Sequence, residues 1–550
     1  MKTGERPQLV DFRLQLIREI LQIYHTPKPT IGRPVHGRKP TRLTVDGNFR
    51  FANYYQNHMV LQRAPQKAIV WGYGDGQNVS IILKINKKIY HTKSYLSSIH
   101  SSDESIWSVT LDAESEEGPF ELVATQTFLN GSRISIRLHD VLFGDVWLCS
   151  GQSNMAMAVQ RIFNGSSEIE NAGKYPKVRL FTASRQQSRK PEEELLDIAL
   201  NWSIASPKSV GSVYASAVCW LYGRMIHIGL DDKRPIGLIH TSWGGTAIEL
   251  WSPPQVLKDC DVLIDKQIEL EYSDETDFKP DIVLNNSVLY NAMIYPFTRM
   301  VIKGVIWYQG EANVNHNRDK YQCTFLKMIQ YWRHIWQNRT YFITDPIFPF
   351  GFVQLSTREK TGKIIGGFPW IRWHQTFDIG YTPNNATPNV FMATTMDLRD
   401  DGGGIHPRTK LDVGYRLSRS GLAIAYDQKD VNYQGPIVNE IARDSDARIN
   451  VTYLSTFSSS IELRNSKGFE ICCQEKQICM SNETAWIAAP ANYAVKSPIT
   501  VKLTVPIICR SKSVHGVRYL WKETPCPFKQ AAVYSTADSN LPAPPFIQFF

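Results

Sequence analysis

At 550 residues, with 43% hydrophobic and 21% charged side chains, the chain is too long for one ordinary core and predicts two to four soluble globular domains. No apolar run reaches the length of a membrane span. The formal net charge of +9 is concentrated at one end: residues 1–45 hold nine basic and three acidic side chains, so the body carries only +3 and offers no electrostatic footprint for nucleic acid.

Residues 1–45 read as a basic, disordered tail and linker. Leu9–Tyr24 is interrupted by Asp11, Arg13, Arg18 and Glu19, the pattern of a short amphipathic helix and not of a signal-peptide core. Pro27, Pro29, Gly32, Pro34, Gly37 and Pro40 then mark a linker. Over 46–140 short β-like runs separated by Gly, Asp and Ser turns predict a small antiparallel sandwich: Ala68–Trp71, Val79–Ile85, Trp107–Leu111 and Ile134–Leu138.

Over 141–426 the pattern changes. Val146–Cys149, Ile236–Ile239, Val301–Tyr308 and Val390–Ala393 are short apolar runs ending in small or polar residues, as in a parallel sheet covered on both faces. Phe325, Met328, Trp332 and Ile335 follow helical spacing, as do Leu411, Tyr415 and Leu422. The region predicts a doubly wound α/β domain whose ligands bind where strands end. Residues 427–550 return to a β-rich pattern and hold Cys472, Cys473, Cys479, Cys509 and Cys526.

That cysteine cluster predicts disulfides in an oxidising compartment. Sequons at Asn78, Asn130, Asn164, Asn201, Asn285, Asn338, Asn385, Asn450 and Asn482 point the same way. The expectation is the secretory pathway, lysosomal or extracellular. The missing signal pattern at this N-terminus leaves a cytosolic form as the alternative.

Four segments carry chemistry. In Gly144-Asp-Val-Trp-Leu-Cys-Ser-Gly-Gln-Ser-Asn-Met155, a serine just past a buried strand can present its hydroxyl at the sheet edge beside free backbone N–H groups. Met155 stands where a Gly-x-Ser-x-Gly elbow needs its second glycine, which argues against an ordinary α/β-hydrolase. Ser150 is the rival hydroxyl, and a helix N-cap is the bland reading of Ser153. In Ser242-Trp-Gly-Gly-Thr246 an N–H of Gly244 or Gly245 could face an oxyanion. In Trp307-Tyr-Gln-Gly-Glu-Ala-Asn313 the Gln309 amide could be another donor, while Glu311 and Asn313 could cap a helix or orient neighbours. In Met396-Asp-Leu-Arg-Asp-Asp-Gly-Gly-Gly-Ile-His-Pro407, His406 sits on a glycine-rich loop near three carboxylates, Asp397, Asp400 and Asp401, any of which could fix its tautomer. Together they are the inventory for acyl transfer. No His-rich spacing suggests a metal site.

In order and type these segments resemble the signature blocks of the SGNH hydrolases. Gly-Gln-Ser-Asn-Met, Ser-Trp-Gly-Gly-Thr, Trp-Tyr-Gln-Gly-Glu and Ile-His-Pro resemble the carbohydrate-acetylesterase branch, and the sialate O-acetylesterases above all. The likeness runs from Phe49-Arg-Phe-Ala52 through His58–Gln62, Phe348–Leu355 and Ile371–Gln375 to Leu541–Phe546. It implies an SGNH-type α/β fold, a doubly wound parallel sheet domain with β-rich N-terminal and C-terminal segments. It implies a serine esterase without cofactor or metal that releases acetate from acetylated sialic acid, free or on glycoconjugates, of the 9-O-acetyl type. The same motifs fit an acetylesterase of other sugars or polysaccharides, or a sugar-binding protein without catalysis. The resemblance makes Ser153 the nucleophile and His406 the general base. It makes the N–H groups of Ser153 and Gly244, with the Gln309 amide, the oxyanion hole. Many such enzymes carry Asp three residues before the histidine. Gly403 stands there in this chain, so the site works either as a Ser–His dyad or with a borrowed carboxylate, for which Asp397, at the strand end, is the first choice. Arg372, Arg399 and Arg408 are candidate contacts for a substrate carboxylate, and His374 is read as structural.

Overall fold

A computed structural model of the protein describes residues 49–96, 105–262, 285–358, 366–494 and 497–550. The expected tail, its amphipathic helix and the linker fall outside the described residues.

The N-terminal strands Ile69–Gly74, Ser80–Ile85, Ser105–Thr110 and Phe120–Thr127 lie in two antiparallel layers. Their alternating side chains put Val70, Ile81, Leu83, Trp107, Leu122 and Ala124 into one core, as the sandwich pattern predicts. The end of this module differs from expectation. Strand β1, Arg133–Gly151, is one continuous run of 19 residues. Its first half pairs antiparallel with Phe120–Thr127, and its second half enters the central sheet. The boundary placed at residue 140 therefore falls inside a strand. Asp140 there has φ 53 and accepts from Arg179 Nη1 at 2.6 Å.

The central sheet adds β2 (Val178–Ala183), β3 (Ile198–Ile204), β4 (Ile236–Ser242), β5 (Gly304–Tyr308), β6 (Phe350–Val353) and β7 (Val390–Ala393). Their order is β3-β2-β4-β1-β5-β6-β7, and every neighbouring pair is parallel except β3 with β2. Around it stand α1 (Ala217–Gly229), α2 (Tyr321–Arg339), α3 (Phe368–Gln375) and α4 (Lys410–Ala425). The two-residue period of β1 assigns the faces. Val146 and Leu148 pack in the cluster that holds Phe325, Met328 and Trp332 of α2. Trp147 and Cys149 pack in the cluster that holds Leu221 and Tyr222 of α1 with Val413 and Leu417 of α4. Both faces are therefore covered, which is why these strands read as unbroken apolar runs. The chain leaves β1, builds β2 to β4 on one side and returns at β5 on the other. In sheets of this kind, ligands bind at the carboxyl ends of the strands where the order reverses, here those of β4, β1 and β5.

Residues 438–550 form small antiparallel sheets around Val451, Phe469, Val517, Tyr519 and Tyr534. Arg372, fully buried in α3, clasps this module to the sheet domain. It donates to Leu355 O and Ser356 O on one side and to Lys522 O and Glu523 O on the other, at 2.6–2.7 Å. No helix among the described residues is long and apolar enough to cross a membrane.

Disulfides join Cys472 to Cys479 and Cys473 to Cys509, as the C-terminal cluster predicts, and Cys526 is the buried odd thiol. Two further bridges, Cys149–Cys219 and Cys260–Cys323, lie in the sheet domain. The first fastens the end of β1 to α1 across 70 residues of chain. Replacing Cys149 and Cys219 together by Ala is expected to lower unfolding free energy by about 2–5 kcal/mol, read from urea midpoints.

Candidate active site

Register brings the motifs together. Gly151 of β1 lies opposite Ser242 of β4 on one side and Tyr308 of β5 on the other. The chains then run on into Ser153, Gly244 and Gly310, each two residues beyond its paired position. Only glycine fits at 151: φ is +140, and a Cβ there would stand 2.1 Å from Tyr308 O. This close approach lets Gln152 knit two motifs. Its N–H donates to Tyr308 O at 3.0 Å, and its Oε1 accepts from the N–H groups of Gly310 at 3.4 Å and Ala312 at 3.2 Å. A short helical turn, Ser153–Ala156, follows. Ser153 is half-buried at its first position. Ser150, the rival, is fully buried inside the strand.

Asn154 joins the serine turn to the histidine loop. Its Nδ2 donates to Ile405 O at 2.9 Å and to Glu311 Oε1 at 2.5 Å, and its Oδ1 accepts from Lys410 Nζ at 2.6 Å. Lys410 also donates to Pro407 O at 2.7 Å. Ser153 and His406 thus each lie one residue from the Asn154–Ile405 bond, and His406 is 9% exposed. The three polar side chains of this network are buried. Burial pushes the Lys410 ammonium down to about 7, the Glu311 charge opposing the shift, and burial raises the Glu311 carboxyl.

The His406 loop is braced by Asp400. Its Oδ1 accepts from Gly402 N–H at 3.0 Å and its Oδ2 from Arg408 N–H at 2.8 Å, so one carboxylate holds the backbone on both sides of the histidine. Arg408 Nε and Nη2 close a bidentate pair on it, at 2.8 and 2.9 Å. The Arg408 pairing holds the Asp400 carboxyl down at about 2. A Cβ on Gly403 would lie 2.5 Å from Asp400 Oδ2. The Asp400 carboxylate therefore fills the space that a side chain at 403 would need, and this accounts for the glycine.

Two of the expected site residues already have partners. Asp397 is fully buried and both its oxygens are taken: Arg416 Nη1 and Nη2 donate at 2.5 and 2.9 Å, and the Tyr534 hydroxyl donates at 2.6 Å. It holds the end of β7 to α4 and to the C-terminal module. Gln309 is also fully buried, and its amide protons go to Thr246 O at 3.1 Å and Asn313 Oδ1 at 2.7 Å. With these bonds it ties the β5 loop to the β4 loop. The N–H groups of Ser153 and Gly244 carry no hydrogen bond to another described residue, which leaves them as the backbone donors at the strand ends. Of the arginines, Arg372 has its donors on backbone carbonyls, and Arg399 pairs with Asp401. Arg408 sits 4.5 Å over the half-exposed Phe163 ring, its side chain 40% exposed.

His240, two residues before Ser242 on β4, had no sequence signal. Its Nε2 lies 2.6 Å from Ser242 Oγ and its Nδ1 3.0 Å from Tyr214 O. The carbonyl requires Nδ1 to carry the proton, so Nε2 accepts from Ser242 and steadies the turn that leads to Gly244. Burial lowers its pKa to about 4.

Several comparisons bear on this geometry. The family model described as carbohydrate esterase, sialic acid-specific acetylesterase, matches residues 143–420, and the sialate O-acetylesterase C-terminal domain matches 439–550. The mouse sialate O-acetylesterase is 41% identical over 91% of this chain and 94% of its own length, and the human one 42% identical over 91% and 92%. A crystal structure of a carbohydrate acetylesterase from Xanthomonas citri superposes with a TM-score of 0.71 at 25% identity, covering 91% of this chain and 99% of that one.

Two outcomes follow from the buried groups. A base whose folded pKa lies below its unfolded value takes up a proton on unfolding. His240 therefore makes stability fall as pH drops from 6.5 towards 4. Its share of the slope is at most about 1.4 kcal/mol per pH unit, and urea midpoints of His240→Gln should show a shallower decline than wild type. Separately, Lys410→Met leaves Glu311 buried without its cation. Adding Glu311→Gln should recover stability, with a coupling of about 1–3 kcal/mol in a double-mutant cycle.

Proposed function

Because the chain belongs to the sialate O-acetylesterase family and is a carboxylic ester hydrolase, we propose that its crevice removes acetyl groups from the hydroxyls of sialic acids, those on the 9-hydroxyl in particular. The observation that carries this reading is the Asn154 bridge, which places Ser153 and His406 one residue on either side of a single hydrogen bond.

In this mechanism Ser153 Oγ attacks the acetyl carbonyl while His406 takes the hydroxyl proton. Negative charge develops on the carbonyl oxygen, and the N–H groups of Ser153 and Gly244 stabilise it. His406 then protonates the departing sugar hydroxyl, and water repeats the cycle to release acetate. The imidazole is positioned through its loop: Asp400 holds Gly402 and Arg408, and Asn154 holds Ile405. Arg408 is our choice for the substrate carboxylate. Asp400 occupies Nε and one proton of Nη2, so the guanidinium keeps its Nη1 edge for a second carboxylate. The same reading places the enzyme in an oxidising compartment of the secretory pathway. In support, four disulfides are formed, and Asn78, Asn130, Asn164, Asn201, Asn338, Asn385 and Asn482 are exposed.

Acetate release from 9-O-acetyl-N-acetylneuraminic acid tests the proposal. Ser153→Ala and His406→Ala should each lose roughly 10³-fold or more in kcat while folding normally. The methyl ester of the same substrate, which hides the carboxylate, should show a raised KM. Faster hydrolysis of acetylated xylan would favour the polysaccharide alternative, and full activity of Ser153→Ala would end the nucleophile assignment.

A further inference from the structure

Helix α3 has two working sides. Ile371 and Gln375 face the β5 loop: a Cβ on Gly310 would lie 2.9 Å from Ile371 Cγ2, and Gln375 Nε2 donates to Gln309 O at 3.1 Å. Trp370 and His374, one position earlier in each turn, line an open cavity of ≈ 630 Å³ with Arg318, Asp319, Met480 and Glu483. The cavity is lined from both the sheet domain and the C-terminal module.

The cavity's walls are fixed before any ligand arrives. Trp370 Nε1 donates to Glu483 Oε1 at 3.1 Å, and the buried Arg518 holds the other oxygen of that carboxylate. The indole also packs edge-on against Trp521, with centroids 5.2 Å apart. His374 Nδ1 is bound to Asp378 Oδ1 at 2.7 Å, which fixes the ring and leaves Nε2 as its second polar atom. Arg318 is partly exposed, 3.6 Å from Asp319. Met480 is 56% exposed. The result is a rigid aromatic wall among planar donors and acceptors, in a volume suited to a small ligand. Pyranose rings have this same character: an apolar C–H face that lies on an indole, rimmed by hydroxyls that need both donors and acceptors. A peptide or lipid would need a longer apolar lining.

We propose that this cavity is a second sugar subsite, which binds the neutral sugars of the glycan that carries the acetylated sialic acid. Trp370 supplies the stacking face, and Arg318, His374 and Glu483 contact the hydroxyls. The proposal rests on the reading of the crevice as a sialic acid site. It makes the C-terminal module a contributor to substrate choice through Met480 and Glu483, so that bound sialosides are preferred to the free monosaccharide.

Calorimetric titration with sialyllactose tests it, since that ligand lacks the acetyl group and reports binding without turnover. The protein is first treated with an endoglycosidase, because the sequon asparagine Asn482 adjoins Glu483 and a glycan there would compete. Affinity for sialyllactose should fall about tenfold in Trp370→Ala and in Arg318→Ala, while free N-acetylneuraminic acid binds both variants as it binds wild type. Arg318 is at the rim, so its variant keeps the test valid if Trp370→Ala misfolds. Unchanged affinity for sialyllactose in the folded variants, or an equal loss for sialyllactose and the free sugar, overturns the subsite. Failure of the functional reading appears elsewhere, as no acetate release by wild-type enzyme from either acetylated form.

Discussion

The active-site geometry depends on one buried amide. Asn154 accepts a proton from Lys410 and gives its own two to Glu311 and to the Ile405 carbonyl. Each partner belongs to a different segment: Glu311 follows β5, Ile405 precedes His406, and Lys410 opens α4. Taking a lysine and a glutamate out of water is costly, and their mutual attraction offsets that cost only in good geometry. Glu311 Oε2 has no hydrogen-bond partner, so the compensation is incomplete. Apolar side chains of similar volume would hold the segments together at a lower desolvation penalty. They would not set a direction or a distance, and an acyl-transfer site needs both.

The clamp works because the backbone beneath it is already in register. Parallel pairing of β4, β1 and β5 brings residues 242, 151 and 308 abreast, although 91 residues of chain separate 151 from 242 and 66 separate 242 from 308. Gly151 then allows the Tyr308 carbonyl to approach where any side chain would collide. Gln152 fills the gap with three hydrogen bonds to the β5 segment. The unbonded N–H groups of Ser153 and Gly244 follow from this, since N–H groups just past strand ends have no strand partner left to bond.

How much was legible in the sequence follows from the same physics. Apolar runs that stop at small or polar residues revealed the sheet, its covered faces and the end where the chemistry lies. The helical spacing of Phe325, Met328 and Trp332 gave α2. The domain limit at 140 was not legible, because β1 crosses it without a break and a strand shared by two sheets has no punctuation. The partners of Gln309 and Asp397 were not legible for a common reason: a polar residue beside a strand end carries no mark of what it bonds. Parity distinguishes Gln309 from its neighbours. Ser153, Gly244 and Gly310 are two residues past the paired positions, whereas Gln309 is one past and turns inward to Thr246 and Asn313. Lys410 gave no sign of its burial, since a lysine at the start of an amphipathic helix ordinarily faces water. His240 looked like one more polar residue in a strand.

The partners of Arg372 and Asp397 explain why the C-terminal module accompanies the sheet domain. Arg372 divides its donors between the carbonyls of 355 and 356 and those of 522 and 523. Asp397 takes Arg416 from the sheet domain and Tyr534 from the module. A buried guanidinium with half its acceptors removed, or a buried carboxylate stripped of its hydroxyl donor, is far more costly than the loss of an exposed contact. The sheet domain is therefore not finished until the module docks. Because Arg372 lies on α3 between Ile371, which packs under the β5 loop, and Trp373, which packs against the module's core, docking also sets the position of the helix that stands between the β5 loop and the cavity lined by Trp370 and His374.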